Sequence, residues 1–594
     1  MIDQKKLDLI GIIVIIAAVC ITILFMNGEA LGLTKVSNED AEGGEESSSE
    51  YFSKSDLDGE WYKDRPGITK ISLKGSEIKV SGQGAYTYNG DVIISKTGWY
   101  ELNGSLDDGS VIVNADAVSK VWILLNDADI YASDDAVIRV DQADKVFLTL
   151  AEGSSNTLAC GDTMSDEAEE DNTNGVIFAH DDITINGCGT LSIVSEYEHG
   201  IKAKDSLKIC GGSISIDANA DGIHVNDHFK MTDASVTIDA MDDGICSETD
   251  LLIASGKLLI NNCYEGIESP LITVLDGDIE IYPDDDGFNA NGGTSGFGNF
   301  AFFDKEESSD ADEEEIDPCI TIYGGSIKII NPDAKDADGM DSNKDIFIYG
   351  GNIFISLSGG GSNNGIDYGS ESGGVCEIHG GSVISCGGSA MVEQFSETSS
   401  QASLLYNMGN NSEDEVRVSL TDAEDKVIYE SVIPCGFNSL QLSVPEMQTG
   451  ETYMLKIGDK EEEITLDSVS TTVGGISGFG GFGGMKPERT EKSDGVEKYE
   501  GMELPEGMKM PGGRGMPGGM MQRPDEDTER DFKMPFGKND ETDSSARFDS
   551  TEDKETVSTA KNLTEFDPSV WKYLAASVIV LSAALVSAKI YKRW

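Results

Sequence analysis

Basic side chains are scarce in this sequence. The 594 residues include 43 Lys and Arg against 108 Asp and Glu, a formal net charge of −65. A surface this acidic excludes nucleic acid and anionic membrane surfaces as partners, because phosphate binding needs Lys and Arg. Cations, neutral ligands, and anionic ligands reached through a metal remain. Catalytic signatures are equally thin. There is no GxSxG nucleophile motif, no CxxC or Cys/His metal spacing, no EF-hand loop and no GGxGxDxUx calcium-roll repeat. Of the ten cysteines, nine lie between the terminal apolar runs at positions such as Cys210, Cys246 and Cys376, where they replace other repeat residues. They are expected as small, free thiols in a reducing or anaerobic habitat, with a few disulfides left open. No helical period is found between residues 56 and 161; short runs such as SVIVNA, KVWILLNDADI and KVFLTL alternate in the manner of strands.

What is present is a repeat. A Gly followed by an apolar residue returns at Gly175, Gly200, Gly222, Gly244, Gly266, Gly287, Gly339 and Gly365, with central spacings of 21 or 22 residues. In register, the copies read HGIKAKDSLKICGGSISI, DGIHVNDHFKMTDASVTI, DGICSETDLLIASGKLLI and DGMDSNKDIFIYGGNIFI. Three apolar columns emerge. One holds Ile201, Ile223, Ile245, Ile267, Phe288, Met340 and Ile366. The second holds Ile185, Ile209, Met231, Ile253, Val274, Ile322, Ile348 and Ile378. The third holds Leu191, Ile214, Val236, Leu258, Ile279, Ile327, Ile353 and Val383. Three short strands per repeat, each sending alternate side chains inward, bury a core that no single repeat could bury alone. The expected fold is all-β, a right-handed parallel β-helix solenoid with a small C-terminal β-domain, flanked by transmembrane helices. Leucine-rich repeats share the period, but their Leu-Asn signature and helical side are missing.

The flanks complete the layout. Leu7–Met26 is long enough to span a bilayer and follows Lys5 and Lys6. A second apolar run, Leu574–Ala588, precedes Lys589, Lys592 and Arg593. The positive-inside rule keeps both basic ends cytoplasmic and puts the main domain outside the cell membrane; a cleaved signal sequence is the alternative for the first run. Residues 1–26 are thus an anchor or signal sequence and 27–55 an acidic linker. The β-helix takes 56–395, with Trp99 and Trp122 in its core, and a small β-domain over 396–471 covers its open end. Residues 472–569 form a Gly/Met/Pro-rich and charged linker, and 570–594 a transmembrane segment. An acidic insertion, 292–317, interrupts the stack at a corner between rungs.

The residues before the repeat glycines carry the functional expectation. Asp221, Asp243, Glu265, Asp286 and Asp338 form one column, with acidic neighbours at Asp242, Asp285 and Asp336. Equivalent positions on adjacent rungs lie about 4.8 Å apart, and carboxylates at that spacing repel by on the order of 1 kcal/mol per neighbour even in water. Ca2+, which takes six to eight oxygens in loose geometry, relieves such crowding; a solvated acidic face is the alternative. Tyr323, Tyr349 and His379 share an outward column whose rings could stack on sugars, or simply on one another. Lys202 faces outward, but His224, Cys246 and Glu268 follow it on later rungs, so no basic cluster forms for a lyase.

The run ISKTGWYELNGSLDDGSVIVNADAVSKVWILLNDADI, then ADKVFLTLAEGSSNTLACGD, then the HGIKAKDSLKICGGSISIDANADGI repeats, resembles the clostridial carbohydrate-binding β-helix family over residues 56–390. The resemblance implies a calcium-bearing parallel β-helix, shaped like a pectate lyase, that binds cellulose or polygalacturonate without established catalysis. The function expected is therefore that of an extracellular, membrane-anchored polysaccharide-binding protein or adhesin. A calcium-dependent polysaccharide lyase and a non-catalytic scaffold for protein partners are the alternatives.

Overall fold

Among the described residues Thr69 begins the first strand, and parallel β-structure predominates from there to Ser382–Gly387. The computed structural model describes residues 51–291, 316–333, 337–360 and 363–475. Both terminal apolar runs, residues 27–50, most of the 292–317 insertion, Asp336 and the chain from residue 476 lie outside the described residues. No helix among the described residues is long and apolar enough to cross a membrane. The transmembrane expectations fall on runs that are not described.

The three apolar columns are the core of a β-solenoid. The strands His199–Ala203, Ile223–Val225, Ile245–Ser247, Ile267–Glu268, Phe288–Ala290, Met340–Ser342 and Ile366–Tyr368 pair in parallel with the first column in exact register. The second column is in register from Ile185 to Ile378. The third runs likewise from Leu191 to Val383. None of these side chains is more than 2 % exposed. At about 1.5–3 kcal/mol for each buried aliphatic side chain, the columns hold the rungs together and fix their register.

Two kinds of glycine shape each rung. The second glycine of the corner pairs, Gly212 and its equivalents Gly325, Gly351 and Gly381, has φ of +85° to +88°, a conformation that glycine adopts freely. The repeat glycines serve close packing instead. A Cβ on Gly222 would lie 2.4 Å from Ile238 Cγ2 and 2.7 Å from Gly244 O.

Both ends of the stack are closed. At the N-terminal end, Thr69–Gly75 pairs antiparallel with Glu77–Ser81, and Ala85–Tyr88 with Asp91–Ile94. At the other end, Ser382–Gly387 pairs antiparallel with Ser439–Ser443, which in turn pairs with Ser403–Asn407. A separate four-stranded antiparallel sheet, built from Val416–Thr421, Val427–Ile433, Thr452–Ile457 and Lys460–Thr465, packs in the same terminal cluster. Pairing of this kind covers an edge that would otherwise stay open.

Four features depart from expectation. Folded chain begins before residue 56, since Phe52 is 2 % exposed. Residues 56–68 are not rungs: they cross the outer side of the solenoid, where buried Trp61 donates from Nε1 to Thr149 Oγ1 at 2.7 Å. Trp99 and Trp122 lie beneath this crossing segment in a satellite cluster outside the main core, stacked at 5.6 Å, with the Arg65 guanidinium 4.2 Å above Trp99. A five-residue helix, Asp166–Glu170, also interrupts the β-pattern. Ser165 caps it by accepting from Ala168 N, and acids fill its first turn, both favourable at a helix N-terminus. The nine cysteines among the described residues are all free.

Candidate metal centre

The corner column is positioned by the backbone. The carbonyl of each column residue accepts the N–H of the repeat glycine one rung back: Gly200 to Asp221 at 3.0 Å, Gly222 to Asp243 at 2.9 Å, Gly244 to Glu265 at 2.8 Å, Gly266 to Asp286 at 2.8 Å and Gly287 to Asp338 at 2.9 Å. The side chains add a second ladder. Asp221 Oδ1 accepts from Asp243 N, and Asp243 Oδ1 from Glu265 N, both at 3.2 Å. Asp286 Oδ1 accepts from Asp338 N, and Asp338 Oδ1 from Asn364 N, both at 2.6 Å. One oxygen of each of these four carboxylates is therefore committed to the stack.

A second column, three residues on, completes the arrangement. Lys202, His224, Cys246, Glu268, Asn289, Asp341 and Asp367 occupy one register position on successive rungs. The chain turns so that residues i and i+3 of each Asp-Gly-Ile-x segment come together. Four groups result whose ligand atoms lie within 4.8 Å of one another: His199/Asp221/His224, Asp221/Asp243/Cys246, Asp243/Glu265/Glu268 and Asp338/Asp341/Asp367. Most of the first three line one cleft of about 320 Å³ together with Asp242.

The expected ligands divide accordingly. Asp221, Asp243, Glu265 and Asp338 enter these groups. Among the described residues Asp286 accepts from Asp338 N but joins no group of three, and Asp242 lines the cleft without joining one. Asp285 hydrogen-bonds the Tyr264 hydroxyl and pushes its pKa to about 12. Asp336 is outside the described residues. Glu268, Asp341, Asp367, His199 and His224 also enter these groups, beyond the residues expected from the sequence. The column containing Glu268 lacks a basic cluster, and its acidic continuation is the sequence signal that points to them.

These acids are crowded. Burial, and then the Glu268 charge, raises Glu265 to about 8. Burial, then Asp338, raises Asp286 to about 9, and burial, then Asp367, raises Asp341 to about 7. Asp243 is pushed well above the carboxylate range by burial and by Asp221, Glu265 and Glu268. Glu265 Oε2 is shut off from solvent with no hydrogen-bond partner, as is Oδ1 of Asn364, the next residue of the corner column. A hard cation takes oxygen donors and would displace the protons that these crowded carboxyls otherwise retain. The carboxylate groups fit Ca2+ in donor type.

On another face, Tyr323 and Tyr349 stack at 5.2 Å and 13°, and Tyr349 and His379 at 5.2 Å and 20°. These rings turn their faces to one another across rungs, while Tyr323 and Tyr349 remain about half exposed. Beside them the corner glycines floor a shallow groove of about 570 Å³, with Lys257, Asp278, Ser326 and Asn352 along it.

Residues 88–281 match the model of a family described as "Carbohydrate-binding domain-containing protein". An Acetivibrio thermocellus protein of the same description is 33 % identical over 129 residues, which are 22 % of this chain and 45 % of the relative. The chain thus spans less than half the length of that curated relative. A solved structure described as a polysaccharide lyase-like protein from C. thermocellum, in a gadolinium derivative, is similar at 22 % identity and a TM-score of 0.33. That similarity covers 52 % of this chain and 96 % of the other.

Proposed function

We propose that this chain is an extracellular carbohydrate-binding protein, a right-handed parallel β-helix tethered to the membrane by its terminal apolar runs, that binds plant-type polysaccharide such as cellulose or polygalacturonate. The observation that carries the carbohydrate reading is the family match over residues 88–281, which contains the Asp243/Glu265/Glu268 group. In this reading Ca2+ is held by Asp243, Glu265 and Glu268, and a second ion by Asp338, Asp341 and Asp367. Three carboxylates leave several of the six to eight calcium positions open. A uronate carboxylate fills one of them, so calcium bridges two anions that would otherwise repel. The glycine-floored groove beside Tyr323, Tyr349 and His379 offers hydrogen-bonding side chains along the solenoid to a neutral chain.

Retention of the protein on insoluble cellulose and on polygalacturonate, with Ca2+ and with chelator, tests this. Calcium-dependent retention on polygalacturonate is expected, and absence of retention on either glycan would reject it. One observation favours a lyase as the second reading. Burial lowers the pKa of Lys202, whose amine donates to Asn226 Oδ1 at 2.6 Å at the edge of the acidic cleft. A lyase would release unsaturated, ultraviolet-absorbing products, and Lys202→Ala would abolish them.

A further inference from the structure

The corner column changes chemistry along its length. Its last two groups offer oxygen alone and its second adds the Cys246 thiol, whereas its first, His199/Asp221/His224, offers two imidazoles and one carboxylate. His224 Nδ1 lies 2.6 Å and His199 Nδ1 3.3 Å from the same oxygen, Asp221 Oδ2. Donors about 2.0–2.2 Å from a tetrahedral ion stand about 3.3 Å from each other, so a small opening of the shorter contact admits one. We propose that His199, Asp221 and His224 bind a borderline divalent cation of the Zn2+ and Co2+ type, different in kind from the carboxylate groups farther along the stack.

Three features support this. The triad is held in advance: Asp221 is 4 % exposed and its Oδ1 is fixed by Asp243 N. His224 turns its other nitrogen, Nε2, to Glu248 Oε1 at 3.2 Å, the arrangement in which a carboxylate orients a metal-bound imidazole. The Asp221 N–H that now points at His199 Nδ1 makes only a 3.2 Å contact, a weak one for an ion to replace. Imidazole favours zinc-like ions over Ca2+, which takes oxygen ligands. The adjoining cleft leaves the remaining coordination positions open to water or to a ligand.

Titration of the chelator-stripped full chain with Co2+ tests the proposal. The expected result is a visible cobalt absorption that saturates at one equivalent, is bleached by Zn2+ and survives excess Ca2+. His199→Ala and His224→Ala should each abolish it. Glu248→Gln, at a side chain half exposed to solvent, should weaken Co2+ binding by about 10- to 100-fold without disturbing the fold. His228→Ala, at the separate His228–Asp250 pair, should leave the spectrum unchanged. Lack of cobalt absorption, its displacement by Ca2+, or its persistence in the His199→Ala/His224→Ala double variant would overturn the proposal. Polysaccharide retention is read separately and does not depend on this site.

Discussion

Asp56 and Asp243 are both buried carboxylates, at 1 % and 9 % exposure, yet their acidities move in opposite directions. Burial alone would raise Asp56, but the Lys145 ammonium at 2.9 Å and hydrogen bonds to Ser53 outweigh it and hold the group below the usual carboxylate range. Lys208 at 3.4 Å and the Thr184 hydroxyl at 3.0 Å complete the set. Asp243 is buried among Asp221, Glu265 and Glu268 and is driven up. The rungs beneath the crossing segment therefore supply the counter-charges for Asp56, and the corner column has no such lysines. Stacking identical rungs explains the second case: in-register repetition adds attraction in the apolar columns and repulsion in the acidic one. In a column of this kind the repulsion is left to be relieved by retained protons or by cations from outside the chain, whereas the Asp56 site is complete as it stands.

Breaking the self-sufficient site should have the largest effect. Removing one partner of a buried ion pair typically costs about 3–5 kcal/mol, so Lys145→Ala should lower the urea midpoint by a corresponding amount. A loss below about 1 kcal/mol, the range of a surface ion pair, would show that Lys145 does not carry the neutralisation.

The acidic column should respond to cations rather than to substitution of lysines. At 100 times its dissociation constant, a bound ion stabilises by about 2.7 kcal/mol. Calcium should therefore raise the melting temperature of the wild type, and Glu268→Gln combined with Asp341→Asn should remove most of that rise. An equal rise in the double variant would place the ions elsewhere.

The pH dependence sharpens the contrast further. Glu265 binds its proton more tightly folded, at about 8, than at its ordinary value of 4.5. Its favourable contribution is present below 4.5 and is lost as pH rises toward 8. Asp56 behaves in reverse: its contribution is present above its ordinary value of 3.8 and is lost as pH falls through its lower folded value. Chelated protein should accordingly lose stability in thermal melts between pH 4.5 and 8. Glu265→Gln should flatten that limb and leave the acid limb intact. A limb unchanged by Glu265→Gln would assign the effect to other groups.

The two sites also differ in how far the sequence discloses them. Periodicity exposes the apolar columns and the Asp-Gly corners because each repeats at one spacing. The pairing of Asp243 and Glu265 with Glu268 is half visible: Glu268 lies in a readable column, but contact across three residues depends on how the corner turns. The Asp56 site leaves no pattern, since Lys145, Thr184 and Lys208 come from three different rungs and meet a segment outside the repeat. The Asp166–Glu170 helix was written locally in its Ser cap and acidic first turn, and was obscured by the surrounding strand signal.

The aromatic columns repeat the contrast between a covered and an open site at smaller energies. Trp122 stacks on Trp99 and, at 5.2 Å, on Phe147 beneath the crossing segment, whereas Tyr349 stacks on Tyr323 and His379 in the open. An aromatic pair contributes about 0.5–1.5 kcal/mol beyond its buried area, so Tyr349→Ala should cost little stability. If the open column and the adjoining groove contact polysaccharide, Tyr349→Ala should weaken retention on cellulose severalfold, while Trp122→Ala should lower the melting temperature more and leave retention on the folded protein unchanged. Equal retention by wild type and Tyr349→Ala would reduce the tyrosine column to cross-rung packing and shift the candidate glycan contact to the acidic corner groups.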